Sequence, residues 1–341
     1  MNNLLIRADA NPNIGMGHIM RCLSIADAAT NFGFVVSFVT ADDNVRSLII
    51  DRGYKAVILN SDYINMEDEL RFWPDESYDV VIVDSYFVTS TYFQRLKSKV
   101  GESGIIVYID DLADFPYPVD ILINYNAYAD FHTYSNLYSC MKMPRMMLGP
   151  TYVPLRSMFR KVELKVQPKK VGNVLISTGG ADSAHIALSL VKSFPTKFNY
   201  HLLIGAMNSD KSEIERLAQT NEHIILHENV SNMKSLISFC DIAVSAAGST
   251  LYEICACGVP LITYVIADNQ ILGAETFGKL GLAENLGDVR ILNDCATKII
   301  TAIEEIASDY KKRVNVGMQM QKMIDGLGAD RIIKALLKSN I

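Results

Sequence analysis

Along most of the 341 residues, short unbroken apolar runs alternate with stretches whose apolar residues recur at helical spacing. Leu4–Ala8, Phe34–Thr40, Asp79–Asp84 (DVVIVD), Ile105–Asp110 (IIVYID) and Asp120–Asn124 (DILIN) are continuous and rich in β-branched residues. Strands covered by helices on both faces of a parallel sheet read this way, whereas half-solvated strands alternate. A helix is predicted over 18–31, with Ile19, Leu23 and Ala26 on one face. Several runs end in Asp or Asn, at the carboxyl edge where parallel α/β sheets place ligands.

The pattern breaks between Gly149 and Lys170, a stretch with three prolines and a cluster of basic residues, read as the connection between domains. It then restarts. Strands are predicted at Val171–Ser177, His201–Gly205, His223–His227, Asp241–Ser245 and Pro260–Ile266. Helices are predicted from the GGAD turn through Phe194, over 210–219 and over 249–257. Two βαβ series in tandem predict an α/β protein of two doubly wound, Rossmann-like domains facing each other across a cleft. The expected domains are residues 1–160, and residues 161–341 including generic C-terminal helices.

Composition narrows the function classes. Hydrophobic residues make up 49% and charged residues 21%, an ordinary globular balance. The net charge of −6 argues against a nucleic-acid partner, which would call for a basic excess. No apolar stretch is long enough to span a bilayer, so no membrane insertion is expected. The start, MNNLLIRADANP, reads as a first strand and not as a signal peptide. Cys22, Cys140, Cys240, Cys255, Cys257 and Cys295 form no CxxC pair, and free buried thiols in a cytoplasmic protein are expected. The oligomeric state is not fixed by the sequence; a monomer is the simplest expectation.

Four turns carry the candidate chemistry. Ile14-Gly15-Met16-Gly17-His18 follows the first strand and opens a helix. Gly15 and Gly17 allow a tight turn and close backbone approach, and the helix N-terminus favours an anion. A dinucleotide fingerprint would want a third glycine where Met20 stands, and the second strand closes on Thr40 without an acidic residue, so a nicotinamide cofactor is not expected. His18 at the loop-to-helix junction is the candidate catalytic group; the plainer alternative is a capping or surface histidine. Ser177-Thr178-Gly179-Gly180-Ala181-Asp182 repeats the strand-turn-helix arrangement, with Gly179 and Gly180 as candidate phosphate contacts. In Ser245-Ala246-Ala247-Gly248-Ser249-Thr250-Leu251-Tyr252-Glu253, Ser249 and Thr250 can hold a diphosphate, and Glu253 can accept from two ribose hydroxyls or simply favour the helix N-terminus. Asn269 and Gln270, after the last strand, offer donors and acceptors to a sugar, or cap a helix. Asp84-Ser85-Tyr86 and Asp110-Asp111 end strands on the same edge. Paired carboxylates raise an acid/base dyad or a magnesium ion, but no His or Cys stands at ligand spacing, so no metal is expected.

IRAD, IGMGHIMRCL, IVDSY, IDDLAD, VDILINYNAYA, GPTYVPLR, ISTGGAD, SAAGSTLYEICACGVP and ADNQ occur in one order between about residues 3 and 287. As a set they resemble the nucleotide-sugar hydrolases of the pseudaminic-acid pathway, which act on UDP-2,4-diacetamido-2,4,6-trideoxy-β-L-altrose, and spore-coat polysaccharide proteins of the same group. The resemblance implies a GT-B architecture similar to MurG-type glycosyltransferases. It also implies a catalytic His18, with Tyr86 lining the same site. Arg21, with Gly15 and Gly17, is expected on the substrate side. Ser249, Thr250 and Glu253 match a UDP-binding helix, Gly179 and Gly180 its glycine loop, and Asn269 and Gln270 the sugar contacts. Relatives often carry Asp-His-Tyr where this chain has Asp84-Ser85-Tyr86, which leaves the identity of the sugar open.

The expected activity is cleavage of a UDP-sugar at its anomeric carbon, releasing UDP and the free sugar with inversion, without a cofactor. Histidine titrates close to neutrality and suits a general base for water. The alternative is a GT-B glycosyltransferase passing the sugar to an acceptor. If the acceptor is membrane-linked, the run Met141–Met147 with Lys142 and Arg145 is the place to look; the plainer reading of that run is a buried strand with a polar flank.

Overall fold

The computed structural model describes residues 2–11, 14–205 and 207–338. The chain forms two compact units, Met1–Ser157 with Leu327–Ile341, and Met158–Gly326.

The first unit is built on seven strands: β1 (Asn3–Ala8), β2 (Val35–Thr40), β3 (Lys55–Ile58), β4 (Val80–Asp84), β5 (Ile105–Ile109), β6 (Ile121–Asn124) and β7 (Arg145–Leu148). They lie in the order β3-β2-β1-β4-β5-β6-β7, every pair parallel. Helices α1 (Gly17–Asn31), α2 (Arg46–Ile50), α3 (Ser90–Val100) and α4 (Phe131–Leu137) connect them. Leu5, Val81, Val83, Ile106 and Tyr108 pack with Trp73, Tyr92 and Phe93 into one buried cluster. α1 buries ten of its fifteen residues, and its N-terminus has no side-chain cap. The Met-rich run becomes the edge strand β7, with Met147 buried and Met141 exposed.

The second unit repeats the plan. Its strands are β8 (Asn173–Ser177), β9 (Asn199–Leu203), β10 (Ile224–His227), β11 (Ile242–Ala246), β12 (Leu261–Val265) and β13 (Ala283–Asp288), in the parallel order β10-β9-β8-β11-β12-β13. Its helices are α5 (Ile186–Val191), α6 (Lys211–Ala218), α7 (Met233–Phe239), α8 (Thr250–Ala256), α9 (Ile271–Lys279), α10 (Cys295–Ser308) and α11 (Tyr310–Met323). Val174, Ile176, Tyr200, Leu202, Val244 and Ile262 centre its core. α5 begins later than the sequence pattern implies. Asp182 and His185 both adopt positive φ, and the Asp182 carboxylate accepts the N–H groups of Ile186 (3.1 Å) and Ala187 (2.8 Å), so the cap sets the start.

The expected boundary between residues 160 and 161 needs correcting at the C-terminus. The last helix, α12 (Gly328–Leu337), belongs to the first unit and packs on α1. Its apolar stripe, including Ile332, Ile333 and Leu336, is fully buried. Among the described residues no helix is long and apolar enough to cross a membrane. The six cysteines are all free; four are buried, whereas Cys140 is exposed and Cys295 half-buried.

Ile332→Ala removes a fully buried side chain and is expected to lower stability by about 2–5 kcal/mol. In urea denaturation followed by tryptophan emission, the loss should fall on the first unit, which holds the single tryptophan, Trp73. An unchanged tryptophan transition would mean that α12 contributes nothing to that unit.

Candidate active site

Parallel pairing of β1 with β4 sets Ala8 opposite Asp84. The Asp84 carboxylate therefore stands at the same sheet edge as the loop that enters α1. That loop turns on Gly15, at φ 73°, and its N–H reaches the Asn11 carbonyl at 2.8 Å. A side chain would be strained there, which accounts for the glycine. Gly17 opens α1 with an exposed backbone, and His18 follows, 6% exposed.

His18 Nδ1 lies 2.6 Å from Asp84 Oδ1. Arg21, one turn on, donates from Nε to Asp84 Oδ2 at 2.6 Å and from Nη2 to Oδ1. Its Nη2 also lies 3.2 Å from His18 Nδ1. A carboxylate at 2.6 Å calls for a proton on Nδ1, since two lone pairs at that distance would repel. Nδ1–H therefore donates to Asp84, and Nε2 is the unprotonated nitrogen of the neutral ring. Nε2 has no hydrogen-bond partner among the described residues. Burial of Asp84 works against its charge, but Arg21 and His18 outweigh it and hold its carboxyl well below the usual range.

Asp111 follows β5. Its Oδ2 accepts from Arg21 Nη1 (2.8 Å) and from the Tyr86 hydroxyl (2.9 Å), and its Oδ1 accepts from Asn126 (2.8 Å). Arg21 Nη1 also donates to Tyr125 Oη at 2.7 Å. The Tyr86 ring meets the His18 ring edge-on, 4.5 Å between centroids. His18 and Tyr86, separated in sequence, are thus adjacent. Asp110 turns the other way. It accepts the N–H groups of Leu112 and Ala113 and the hydroxyls of Tyr117 and Tyr134, and burial raises its proton affinity. The oxygens of both aspartates are thus occupied by protein donors. Among the described residues no group of three His, Cys, Asp or Glu side chains could hold a metal.

Arg21, expected on the substrate side, is turned onto groups of the protein. Four of its five N–H groups donate to Asp84, Asp111 and Tyr125, and the remaining Nη2–H lies on the side of His18 Nδ1. A second network escaped the sequence reading. Fully buried Arg7 on β1 binds Glu69 through Nε (2.7 Å) and Nη2 (2.8 Å) and also Asp9, whose other oxygen accepts Ala41 N–H at 2.7 Å. It fixes the end of β1 before the glycine loop. An arginine inside an apolar strand was the available signal, because such a charge must be paired.

In the second unit the candidate turns follow β8, β11 and β12, three neighbouring strands. Gly179, at φ 91°, lies close to Ile266 past the end of β12, and a Cβ on it would be 3.7 Å from Ile266 Cδ1. Gly180 packs against Gly205 so tightly that a Cβ on Gly205 would lie 2.1 Å from the Gly180 carbonyl oxygen. Gly179, Gly180 and Ser249 are exposed, and Thr250 and Glu253 half-buried at the start of α8. Nothing among the described residues accepts the backbone N–H groups of Ser249 and Thr250. Asn269 is exposed, while Gln270 uses its carbonyl on Ile266 N–H at 3.0 Å.

Residues 173–332 match the Glycosyltransferase family 28 C-terminal domain. The fold is GT-B. The glycotransferase of kitacinnamycin superposes over 100% of this chain and 99% of its own with a TM-score of 0.70 at 14% identity. MurG of Acinetobacter baumannii does so over 99% and 100% with 0.66 at 11%. Among curated relatives, the spore coat polysaccharide biosynthesis protein SpsG of Bacillus subtilis is 23% identical over 97% of this chain and 96% of its own. The UDP-2,4-diacetamido-2,4,6-trideoxy-beta-L-altropyranose hydrolase of Campylobacter jejuni is 25% identical over 67% and 80%. The uncharacterized protein MJ1062 of Methanocaldococcus jannaschii is 23% identical over 79% of this chain, which spans 56% of that longer relative. The chain is therefore a distant relative of the pseudaminic-acid hydrolases on a GT-B scaffold.

Asp84→Asn leaves the His18 ring without its anion and Arg21 with Asp111 alone and is expected to lower stability at pH 7 by about 3–5 kcal/mol. A depressed carboxyl pKa stabilises above its unfolded value, near ~3.9, and that stabilisation fades as pH falls towards the folded value. The gap between wild type and variant should hold from pH 7 to 5 and shrink on further acidification. A gap independent of pH in urea titrations would contradict an ionised, paired Asp84.

Proposed function

We propose that this protein is a UDP-sugar hydrolase that acts on a UDP-2,4-diacetamido-2,4,6-trideoxyhexose. It would serve the biosynthesis of pseudaminic acid or a related surface polysaccharide. The observation that carries the reading is the His18–Asp84 pair. A buried carboxylate holds Nδ1–H at 2.6 Å and leaves Nε2 without a partner among the described residues. A neutral imidazole so held is built to take a proton. The similarity to the Campylobacter hydrolase supports both the reaction and the substrate class.

In this reading the second unit holds UDP. Gly179 and Gly180 and the free N–H groups of Ser249 and Thr250 receive the diphosphate, and Glu253 accepts from ribose hydroxyls. Asn269 and the Gln270 amide meet the sugar. In the first unit His18 Nε2 takes a proton from water as its oxygen bonds to C1. The C1–O bond to the β-phosphate breaks and its electron pair leaves on UDP. Attack opposite the leaving group inverts the anomeric centre. Asp84 stabilises the imidazolium that forms, and Tyr86 lines the sugar side. Gly15 and Gly17 let the loop backbone approach the substrate. A glycosyltransferase reading is favoured by one observation, the family 28 domain match, and differs only in replacing water by an acceptor hydroxyl.

UDP release from the altrose substrate, with no acceptor added, is expected to proceed equally with and without EDTA. Release only after an acceptor is supplied would move the assignment to a transferase. His18→Gln is expected to lower kcat by about 10²–10⁴-fold while UDP binding, read by calorimetry, is unchanged; near wild-type turnover would remove His18 as the base.

Gly205→Ala must displace the Gly180 carbonyl. UDP affinity should fall by about tenfold, roughly 1.4 kcal/mol, while the tryptophan transition of the first unit is unmoved. Undiminished affinity would separate the glycine loop from nucleotide binding.

A further inference from the structure

The reaction just proposed uses His18 and Tyr86, yet neither stands alone. One guanidinium joins the groups that hold them. Arg21 reaches Asp84, which binds the His18 ring, through Nε at 2.6 Å. It reaches Asp111, which accepts the Tyr86 hydroxyl, through Nη1 at 2.8 Å. We propose that Arg21 and Asp111 are positioning residues that lock His18 and Tyr86 into one unit, with Arg21 bridging the carboxylate on the imidazole to the carboxylate on the phenol. The proposal rests on the hydrolase reading for its kinetic consequences, but not for its structural ones.

The physical need for the bridge follows from burial. Asp84 is 1% exposed and the Asp111 side chain 9%, and both are acceptors for neutral donors. Two such anions side by side repel unless a cation lies between them. A planar fork can serve both at once; a lysine, a point charge, cannot. Arg21 is itself held by Tyr125, whose hydroxyl accepts at 2.7 Å and whose ring lies 5.4 Å from the guanidinium carbon. The order of contacts is therefore His18–Asp84–Arg21–Asp111–Tyr86.

The bridge also acts on the imidazole directly. The charged and titratable groups around His18 are Asp84 at the end of β4, Arg21 and Cys22 on α1, and Tyr86 after β4; Asp111 after β5 and Tyr125 after β6 act through Arg21. Asp84 stabilises an imidazolium, and Arg21 Nη2, 3.2 Å from Nδ1, opposes it.

The test combines kinetics with ¹⁵N NMR of histidine-labelled protein, the His18 signals being assigned by their loss in His18→Gln. In wild type at pH 8, Nδ1 should carry the proton and Nε2 should not. At that pH Arg21→Met should broaden or shift the two His18 ring signals as the imidazole loses its fixed place against Asp84 and Tyr86, and Arg21→Lys, which cannot serve both carboxylates, should not restore them. Arg21→Met, Arg21→Lys and Asp111→Asn should each lower kcat by about a hundredfold with KM and UDP affinity within twofold of wild type. In a Tyr86→Phe background Asp111→Asn should add less than threefold, because the hydroxyl that Asp111 positions is already gone. Additive losses in that double variant would overturn the coupling. A rise in KM or in the UDP dissociation constant with kcat intact would overturn the positioning role in favour of a substrate contact. Unchanged His18 ring signals in Arg21→Met would overturn the bridge. If the wild type releases no UDP from any UDP-sugar, the hydrolase reading fails, and the NMR outcome still decides the bridge.

Discussion

Asp84 is the group on which the first unit's chemistry depends. It ends a central strand, 1% exposed, with a guanidinium and an imidazole as its ion partners. A carboxylate in that position must either be neutralised or be surrounded by donors. The fold takes the second course. β4 lies next to β1, so the loop after β1 and the first turn of α1 deliver His18 and Arg21 to the same oxygens. One consequence is a fixed tautomer of His18. Another is that α1 cannot rotate or slide without breaking a buried charge network. The helix also packs against α12, a piece of chain that returns from the far end of the sequence.

Strand content was legible where the environment is uniform. DVVIVD and IIVYID are apolar throughout because helices cover both faces, and they became β4 and β5. Two of the four edge strands, β3 and β13, were not legible. Ala283–Asp288 reads AENLGD, and all six residues are half-exposed, so no burial pattern marks it. Lys55–Ile58 is short and half-covered for the same reason. The placing of α12 was also out of reach. Its amphipathic stripe says that it packs on something, but not on which unit.

The site divides in the same way. His18 could be singled out because loops at the carboxyl ends of parallel strands face ligands, and Tyr86 through the family resemblance. Their supports could not, because they depend on strand order. His18 and Asp84 are 66 residues apart, and Arg21 and Asp111 are 90 apart. Arg21 sits near the glycine loop in sequence, which suggested a substrate contact. Periodicity places it one turn from His18, but only the tertiary fold shows that four of its five donors are taken by protein acceptors.

The same arrangement bears on how a GT-B scaffold can serve water as its nucleophile. A glycosyltransferase has to activate an acceptor hydroxyl and also position the rest of the acceptor. Water needs activation alone. In the first unit the polar groups near His18 are turned onto one another: Arg21 spends its donors on Asp84 and Asp111, and Asp111 spends its oxygens on Arg21, Tyr86 and Asn126. Groups already satisfied by protein partners gain little from a new ligand, because any new hydrogen bond must displace an existing one. Few of these side chains therefore remain to recognise a second sugar or a lipid-linked acceptor. Among the described residues His18 Nε2 is the exception, and under the proposed hydrolase reading it is where a water molecule would bind.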